Sequence, residues 1–433
     1  MATIRSILAL AASKGWTLYQ LDINNAFLHG DLHEEVYMHM PTGIPNPHKL
    51  VCRLNKSLYG LKQASRQWFQ KLNSALLSQG FLQSKNDYSL FIKKESDDIT
   101  ILAVYVDDII ITGTNLATID SLKAYLHNTF SIKDLGKLHY FLGIEVLTTS
   151  DGFILSQHKF TKELLQDSGL TFQKKTSTPL PTHVKLLIDE GDLYHDPAAY
   201  RSLVGKLNFL THTRPDLAFA VQSLSQFMHS PEIAHYQALV HTLHYVNSTA
   251  GQGILLKASD KLTLQAYSDS DWAACPNTRK SVTGYVLLLG TSPISWKSKK
   301  QGTTSKSSSE AEYRAMAQAA SEACWLVRLL TELGISNLTP VTLHCDNMSA
   351  LHIARNPVFH ECTKHIEVDC HFTRDKVLEG LLQLSYLPTH NQLADVFTKI
   401  LPVAQHKNLL FKLGMVPTSP SPNLRGGVEV TQA

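Results

Sequence analysis

The sequence of 433 residues is short of cysteine, of net charge and of long apolar runs, and each shortage excludes something. Its six cysteines include no CxxC pair, so neither a disulfide framework nor a zinc ribbon is expected, and a reducing compartment fits. His360, Cys362, His365, Cys370 and His371 crowd together, but their spacing matches no familiar zinc pattern. No stretch reaches ~18 uninterrupted apolar residues, which excludes a membrane-spanning helix. The opening "MATIRSILALAASKGW" also lacks the polar spacer and cleavage site of a signal peptide. The expectation is a soluble intracellular protein with no membrane partner. A net charge of +3 permits a polyanionic partner without demanding one. Internal repeats and low-complexity tracts are absent as well.

What is present is enough for cores: 43% hydrophobic against 18% charged residues argues against global disorder, and the length argues for two or three domains. Residues 3–12 have helical spacing, and "TLYQLDINNAFL" reads as a strand entering a turn and helix. "SRQWFQKLNSALLSQGF" predicts an amphipathic helix with Trp68, Phe69, Leu72, Leu76 and Leu77 on one face and Gly80 as its stop. "LHYFLGIEVLTTSDGFILSQ" predicts a hairpin turning at Asp151-Gly152. Residues 176–197, rich in Thr, Pro and Asp, form the best linker candidate, and residues 200–247 are helical in pattern. "KLTLQAYSDSDW" then opens a separate α/β pattern with further strands and a long helix over residues 310–333.

"AVYVDDIIITG", residues 103–113, sets two adjacent carboxylates inside an apolar run. Burying an unpaired carboxylate costs several kcal/mol, so Asp107 and Asp108 belong at a turn between two strands. A hairpin with acidic residues is the plain reading, because Asp is a common turn former. The strongly apolar flanks, with no Gly or Asn at the turn, favour a second one. Adjacent carboxylates repel unless a cation lies between them, and a divalent metal removes that problem. Asp22, where another apolar run ends, is placed to supply a third ligand. Such a set suits two-metal phosphoryl transfer, and oxygen ligands suit Mg²⁺.

"LDINNAFLHGDLHEEVYM", "NKSLYGLKQASRQWF", "YVDDIIITG" and "DLGKLHYFLGIEV" resemble successive motifs of the reverse transcriptase of copia-type LTR retrotransposons, part of their Pol polyprotein. The resemblance implies that Asp22, Asp107 and Asp108 are catalytic metal ligands. It implies that Phe27 packs under the incoming sugar, that Gly60 and Gln63 lie against nucleotide and template, and that Phe141, Leu142 and Gly143 belong to a primer-grip hairpin. Ser65 stands where the family usually has proline. The family's upstream fingers segment is expected to be largely missing, since Met1 begins within the "TIRSILALAA" helix.

Further on, "AYSDSDW" and "LHCDNMSA" end strands in acidic residues, "SSSEAEYRAMA" opens a helix with two glutamates, and "NQLADVFTK" carries Asp395. Singly these have ordinary explanations: Glu310 and Glu312 at a helix N-terminus, Asp346 as an N-cap, Asp395 as a solvated helix residue. Together they resemble the ribonuclease H domain that follows the polymerase in this family, which implies a second two-metal site of Asp269, Glu312, Asp346 and Asp395. Asp271 and Glu310 are rivals to Asp269 and Glu312. Lys297, Lys299, Lys300 and Lys306 read as a solvated face or as phosphate contacts. Arg201, Lys206, His212 and Arg214 read as phosphate-tracking or as surface residues. His365 and Asp369, i,i+4 neighbours, read as a structural pair.

The expected fold is an α+β polymerase palm and thumb followed by an α/β ribonuclease H-like domain. Its expected divisions are residues 1–175 (palm), 176–260 (linker and helical thumb or connection), 261–402 (ribonuclease H-like) and 403–433 (an extension with a disordered end). The implied function is an RNA-directed DNA polymerase with ribonuclease H activity, using two Mg²⁺ per site, with Mn²⁺ as the alternative. Implied partners are RNA template, DNA primer, RNA–DNA hybrid and dNTPs, with other Pol segments or a second chain, in the cytoplasm or a virus-like particle. The rival readings are a polymerase-dead remnant that retains hybrid cleavage and a non-catalytic nucleic-acid-binding relic.

Overall fold

The structure, a computed structural model, describes residues 1–355 and 367–418. His360, Cys362, His365 and the end of the C-terminal extension lie outside the described residues. The chain divides into two compact units that alternate along the sequence. The smaller comprises Lys14–Phe141 and Arg328–Ser336. The larger comprises Met1–Ser13, Leu142–Val327 and the described residues from Asn337 on.

The smaller unit is α+β. Its antiparallel sheet runs in the order Leu82–Gln83, Leu90–Glu95, Asp98–Tyr105, Asp108–Gly113, Tyr19–Ile23, Ile132–Lys137. Leu102, Val104, Ile109 and Ile111 pack with Leu21 and Ile23 against the helices Ala64–Ser78 and Leu116–Phe130. Ile101, Ala103 and Ile110, on the opposite face, are buried as well. Burial on both faces explains why these strands read as continuous apolar runs, not as alternation. On the helix Ala64–Ser78, Trp68, Leu72 and Leu76 are buried, whereas Phe69 and Leu77 are exposed. The expected five-residue face is therefore narrower, because a helical stripe of i, i+4, i+8 already covers the groove above the sheet.

The larger unit carries two sheets and a helical layer. Ile144–Thr149, Gly152–Ser156, Gln252–Lys257 and Met415–Pro417 form antiparallel neighbours. The hairpin turns at Ser150-Asp151, one residue earlier than expected, since Thr149 pairs with Gly152. Helices Pro197–Leu210, Ala218–Leu224 and Ile233–Ser248 build a core around Leu207, Leu224, Leu239 and Leu243. The remaining sheet is α/β, in the order Ser292–Lys300, Val282–Leu289, Leu264–Asp271, Val341–Cys345, Leu382–Tyr386. Its first three strands are antiparallel and its last two run parallel to Leu264–Asp271.

Arg214 is not a phosphate-tracking residue. It is 1% exposed, and its Nη2 donates to Asp216 Oδ2 at 2.7 Å and to Thr249 Oγ1 at 2.7 Å. Tyr245 donates its hydroxyl to the same Asp216 oxygen at 2.7 Å. Both members of the ion pair are buried, so removing one leaves the other uncompensated. Asp216→Ala is expected to destabilise the larger unit by about 3–5 kcal/mol, measured by thermal or urea unfolding. A change within experimental error would show that Arg214 finds other partners.

Candidate active sites

The first set of carboxylates stands at a hairpin. Tyr105 pairs with Asp108, so the chain reverses in two residues, Val106 and Asp107. Val106 takes φ 57°, a left-handed conformation that a β-branched residue adopts only under constraint. Two hydrogen bonds supply it: Trp68 Nε1 donates to Val106 O at 2.7 Å, and Ile23 N donates to Asp107 O at 2.9 Å. Asp22 is the cross-strand partner of Asp108, so their side chains share a face. Like charges in that position repel. Burial, and then Asp107 and Asp22, push the Asp108 carboxyl up, while Gln20 opposes the shift through a long 3.4 Å hydrogen bond.

Phe27 packs against Tyr59 with ring centroids 4.5 Å apart and the ring planes tilted by 50°. Desolvation followed by the Asp107 and Asp22 charges raises the Tyr59 phenol, which puts this aromatic pair beside the carboxylates. Gly60 takes φ 95°, and Gln63 stands at the N-terminus of the helix Ala64–Ser78 without a capping bond. Phe141 is buried, and Leu142 and Gly143 follow at φ 50° and 79°.

The second set is tighter. Asp269 stands near the end of the strand Leu264–Asp271, and Asp346 directly follows the neighbouring parallel strand Val341–Cys345. Asp395 lies in the 3₁₀ turn Leu393–Phe397. Oxygens of Asp269, Asp346 and Asp395 all lie within 4.8 Å of one another, and Glu312 and Asp346 form a second such group with the Cys345 thiol. Among the described residues, Asp22, Asp107 and Asp108 do not gather to that distance. The ends of parallel strands are where an α/β sheet ordinarily presents its ligand site.

Polar neighbours orient each carboxylate. Thr398 Oγ1 donates to Asp269, Thr389 Oγ1 donates to Asp346 Oδ2 at 2.9 Å, and Ser270 N donates to Glu312 Oε1 at 3.2 Å. Lys399 Nζ lies 2.9 Å from Asp395 Oδ1 and 3.3 Å from Asp269 Oδ2. Burial, then Asp269 and Asp346, raise the Glu312 carboxyl well above its ordinary range. Burial and then Asp269 push Asp395 up to about 7, even beside Lys399. Four acids with one ammonium leave surplus negative charge, which a proton or a divalent cation would neutralise. The donor set of carboxylate oxygens fits a hard divalent cation.

Geometry also separates the rivals. Asp271 is outside the close trio, and Glu310 turns back to accept from Lys306 N at 2.5 Å. Asp346 is not an N-cap: Asn347 Oδ1 accepts from Ala350 N at 2.9 Å and leaves Asp346 free to face Asp269. Nor is Asp395 solvated, since it is 1% exposed. Lys399 was not anticipated, although its i,i+4 spacing from Asp395 was there to be read. Gly284 was equally silent. It pairs with Asp269, and a Cβ there would meet Phe397 Cβ at 2.8 Å and Ala394 O at 2.9 Å. Only glycine lets the turn bearing Asp395 lie so close to the sheet. Gly284→Ala is expected to cost about 1–3 kcal/mol in an unfolding experiment, and an unchanged stability would mean that the turn relaxes freely. Lys399→Met is expected to lower the melting temperature in EDTA and to enlarge the stabilising shift on adding Mg²⁺. An Mg²⁺ shift equal to that of the parent protein would remove Lys399 from the charge balance.

Residues 1–182 match the family model described as reverse transcriptase (RNA-dependent DNA polymerase). The chain is 44% identical over 421 residues to the Retrovirus-related Pol polyprotein from transposon RE2 of Arabidopsis thaliana, covering 97% of this chain and 29% of that protein. It is 33% identical to a transposon Ty5-1 protein of Saccharomyces cerevisiae, covering 68% of this chain and 97% of that one. The N-terminal RNase H domain of Rv2228c from Mycobacterium tuberculosis aligns at 13% identity and a TM-score of 0.24, over 35% of this chain and 98% of that one. No helix among the described residues is long and apolar enough to cross a membrane. The chain spans less than a third of the RE2 polyprotein, and it belongs to the reverse transcriptase family of copia-type retrotransposon Pol polyproteins.

Proposed function

We propose that the chain is the polymerase and ribonuclease H portion of a retrotransposon Pol polyprotein, copying RNA into DNA and cutting the RNA of the resulting hybrid. Residues 1–175 are read as the palm, 176–260 as linker and thumb or connection, and 261–402 as the ribonuclease H-like domain. The observation that carries the nuclease half is the gathering within 4.8 Å of Asp269 and Asp346, at the ends of adjacent strands, with Asp395 from a 3₁₀ turn. The polymerase half is carried by the family match together with the pairing of Asp22 with Asp108 at the hairpin.

Asp22, Asp107 and Asp108 would hold Mg²⁺ at the first site, and Asp269, Glu312, Asp346 and Asp395 would hold it at the second. Mg²⁺ bound there supplies charge neutralisation and a more acidic primer hydroxyl or water. The protein's own part is positioning. Trp68 holds the hairpin carbonyl and so fixes the direction of the two adjacent carboxylates. Phe27 and Tyr59, packed against each other, offer an aromatic surface beside them for the incoming sugar, with Gly60 and Gln63 close in sequence along the nucleotide and template. Residues 141–143 are read as the primer grip. At the second site Thr398, Thr389 and Ser270 aim three carboxylates before any substrate arrives, which is the preorganisation that such a reaction needs. RNA template, DNA primer, RNA–DNA hybrid and dNTPs are the proposed substrates.

The looser Asp22, Asp107, Asp108 set favours one second reading, in which hybrid cleavage alone survives. Primer extension on an RNA template and cleavage of a labelled RNA–DNA hybrid, both with Mg²⁺, decide between them. Asp107→Asn is expected to abolish extension and spare cleavage, while Asp346→Asn does the reverse, each by at least about a hundredfold. Cleavage without extension by the folded parent chain would leave the second reading, and neither activity would overturn both.

A further inference from the structure

The strand Val341–Cys345 ends on a thiol beside the second carboxylate set. Cys345 is fully buried, and its Sγ lies 3.9 Å from Glu312 Oε2. Glu312 Oε1 accepts from the Ser270 amide, but among the described residues that weak thiol is the only donor reaching Oε2. Glu312 is 5% exposed, so little water reaches the oxygen in its place. A buried carboxylate oxygen with so poor a partner calls for a better one. The sulfur is in the same position: Asn347 N donates to it at 3.4 Å, and no other donor reaches it among the described residues. A buried cysteine commonly serves as a small apolar residue, whereas this one faces a carboxylate.

One ligand atom each from Glu312, Cys345 and Asp346 lies within 4.8 Å of the others, as in the trio of Asp269, Asp346 and Asp395. The two groups share Asp346 and differ in kind. The trio offers oxygen alone, and the other group offers a sulfur with two carboxylates. Mg²⁺ is a hard ion bound through oxygen, whereas Zn²⁺ and softer ions accept thiolate together with carboxylate. A tetrahedral Zn²⁺ sets a sulfur and an oxygen ligand roughly 3.5 Å apart. The 3.9 Å between Cys345 Sγ and Glu312 Oε2 is close to that, and a small side-chain rotation covers the difference. Three protein ligands leave the fourth position to water.

We infer that Glu312, Cys345 and Asp346 form a thiophilic metal position beside the oxygen-only trio, one that takes Zn²⁺ or Cd²⁺ in preference to Mg²⁺. Binding replaces the Sγ–H bond with an Sγ–metal bond and releases the proton to solvent, with no change of oxidation state. An ion held there engages Glu312 and Asp346, two of the four carboxylates proposed to hold Mg²⁺, and so opposes Mg²⁺ at the same site. The metal position rests on geometry alone. Its effect on cleavage rests on the reading of this site as a ribonuclease H centre.

The test is titration of the metal-free full chain with Cd²⁺, read by the ultraviolet charge-transfer absorption of a cadmium–thiolate bond, which oxygen ligands do not give. The chain carries Cys52→Ser, Cys362→Ser and Cys370→Ser, which leaves the buried thiols of Cys275, Cys324 and Cys345. The band should rise to one equivalent of Cd²⁺, Zn²⁺ should displace it, and about a thousandfold excess of Mg²⁺ should not. Adding Cys345→Ser should remove the band, while Cys275→Ser should keep it. Glu312→Gln retains the thiol and should weaken Cd²⁺ binding by at least about tenfold, which tests the site even where Cys345→Ser does not fold. A band that survives Cys345→Ser, a Cd²⁺ affinity unmoved by Glu312→Gln, or displacement by Mg²⁺ overturns the inference. Hybrid cleavage in Mg²⁺ keeps the two proposals apart, with added Zn²⁺ expected to inhibit the chain that has Cys345 more strongly than the one that lacks it. Cd²⁺ bound through Cys345 in a chain that never cuts hybrid sinks the proposed activity and sustains the metal position. Hybrid cut by a chain that shows no band sinks the metal position alone.

Discussion

The contact of Lys399 with Asp269 and Asp395 is the interaction on which the larger unit's acidic site depends. Carboxylates drawn together in a buried corner repel one another and lose their hydration, and either effect alone would drive them apart or protonate them. One ammonium bridging two of them offsets part of that cost, and the raised Glu312 and Asp395 carboxyls show that part of it remains. The site is thus held with an affinity for positive charge that its own side chains do not exhaust. Glycine at 284 makes the arrangement sterically possible, because the turn bearing Asp395 must lie directly on the sheet next to Asp269.

The hairpin site meets the same repulsion differently. Asp22, Asp107 and Asp108 are only half-buried, so water carries much of the burden that Lys399 carries elsewhere. Its cost is conformational instead: Val106 is held left-handed by a two-residue reversal, and the Trp68 indole and the Ile23 amide hold that reversal in place. Both sites use the end of a sheet, where backbone hydrogen bonding is complete on one side and side chains converge on the other. One keeps its acids apart and hydrated, the other keeps them close and countered. That difference is why the second is the better-formed cation site in the free chain.

Much of this was legible in local patterns. A pair of aspartates in a run of Val and Ile had to be a turn, and acids at the ends of strands had to gather at one edge of a sheet. The helix after Gln63 was visible in its spacing, yet Phe69 and Leu77 were assigned to the buried face because periodicity does not say how wide a groove the sheet presents. Arg214 read as a surface cation, since nothing near it in sequence reveals that Tyr245 and Thr249 close over its pair with Asp216.

The sequence by itself therefore determined which residues are candidates for the chemistry, through the conflict between apolar surroundings and ionisable side chains, and it determined the order of strands and helices that bears them. Tertiary structure decided which acids meet. Asp269, not Asp271, lies in the close trio with Asp346 and Asp395, and Glu312 lies close to Asp346 while Glu310 accepts from Lys306 N. The fold also decided that Lys399 is a counter-ion. Charge and hydropathy are properties of single residues, readable in a string. Compensation of charge is a property of distances between residues far apart in the chain, and only the fold sets those distances.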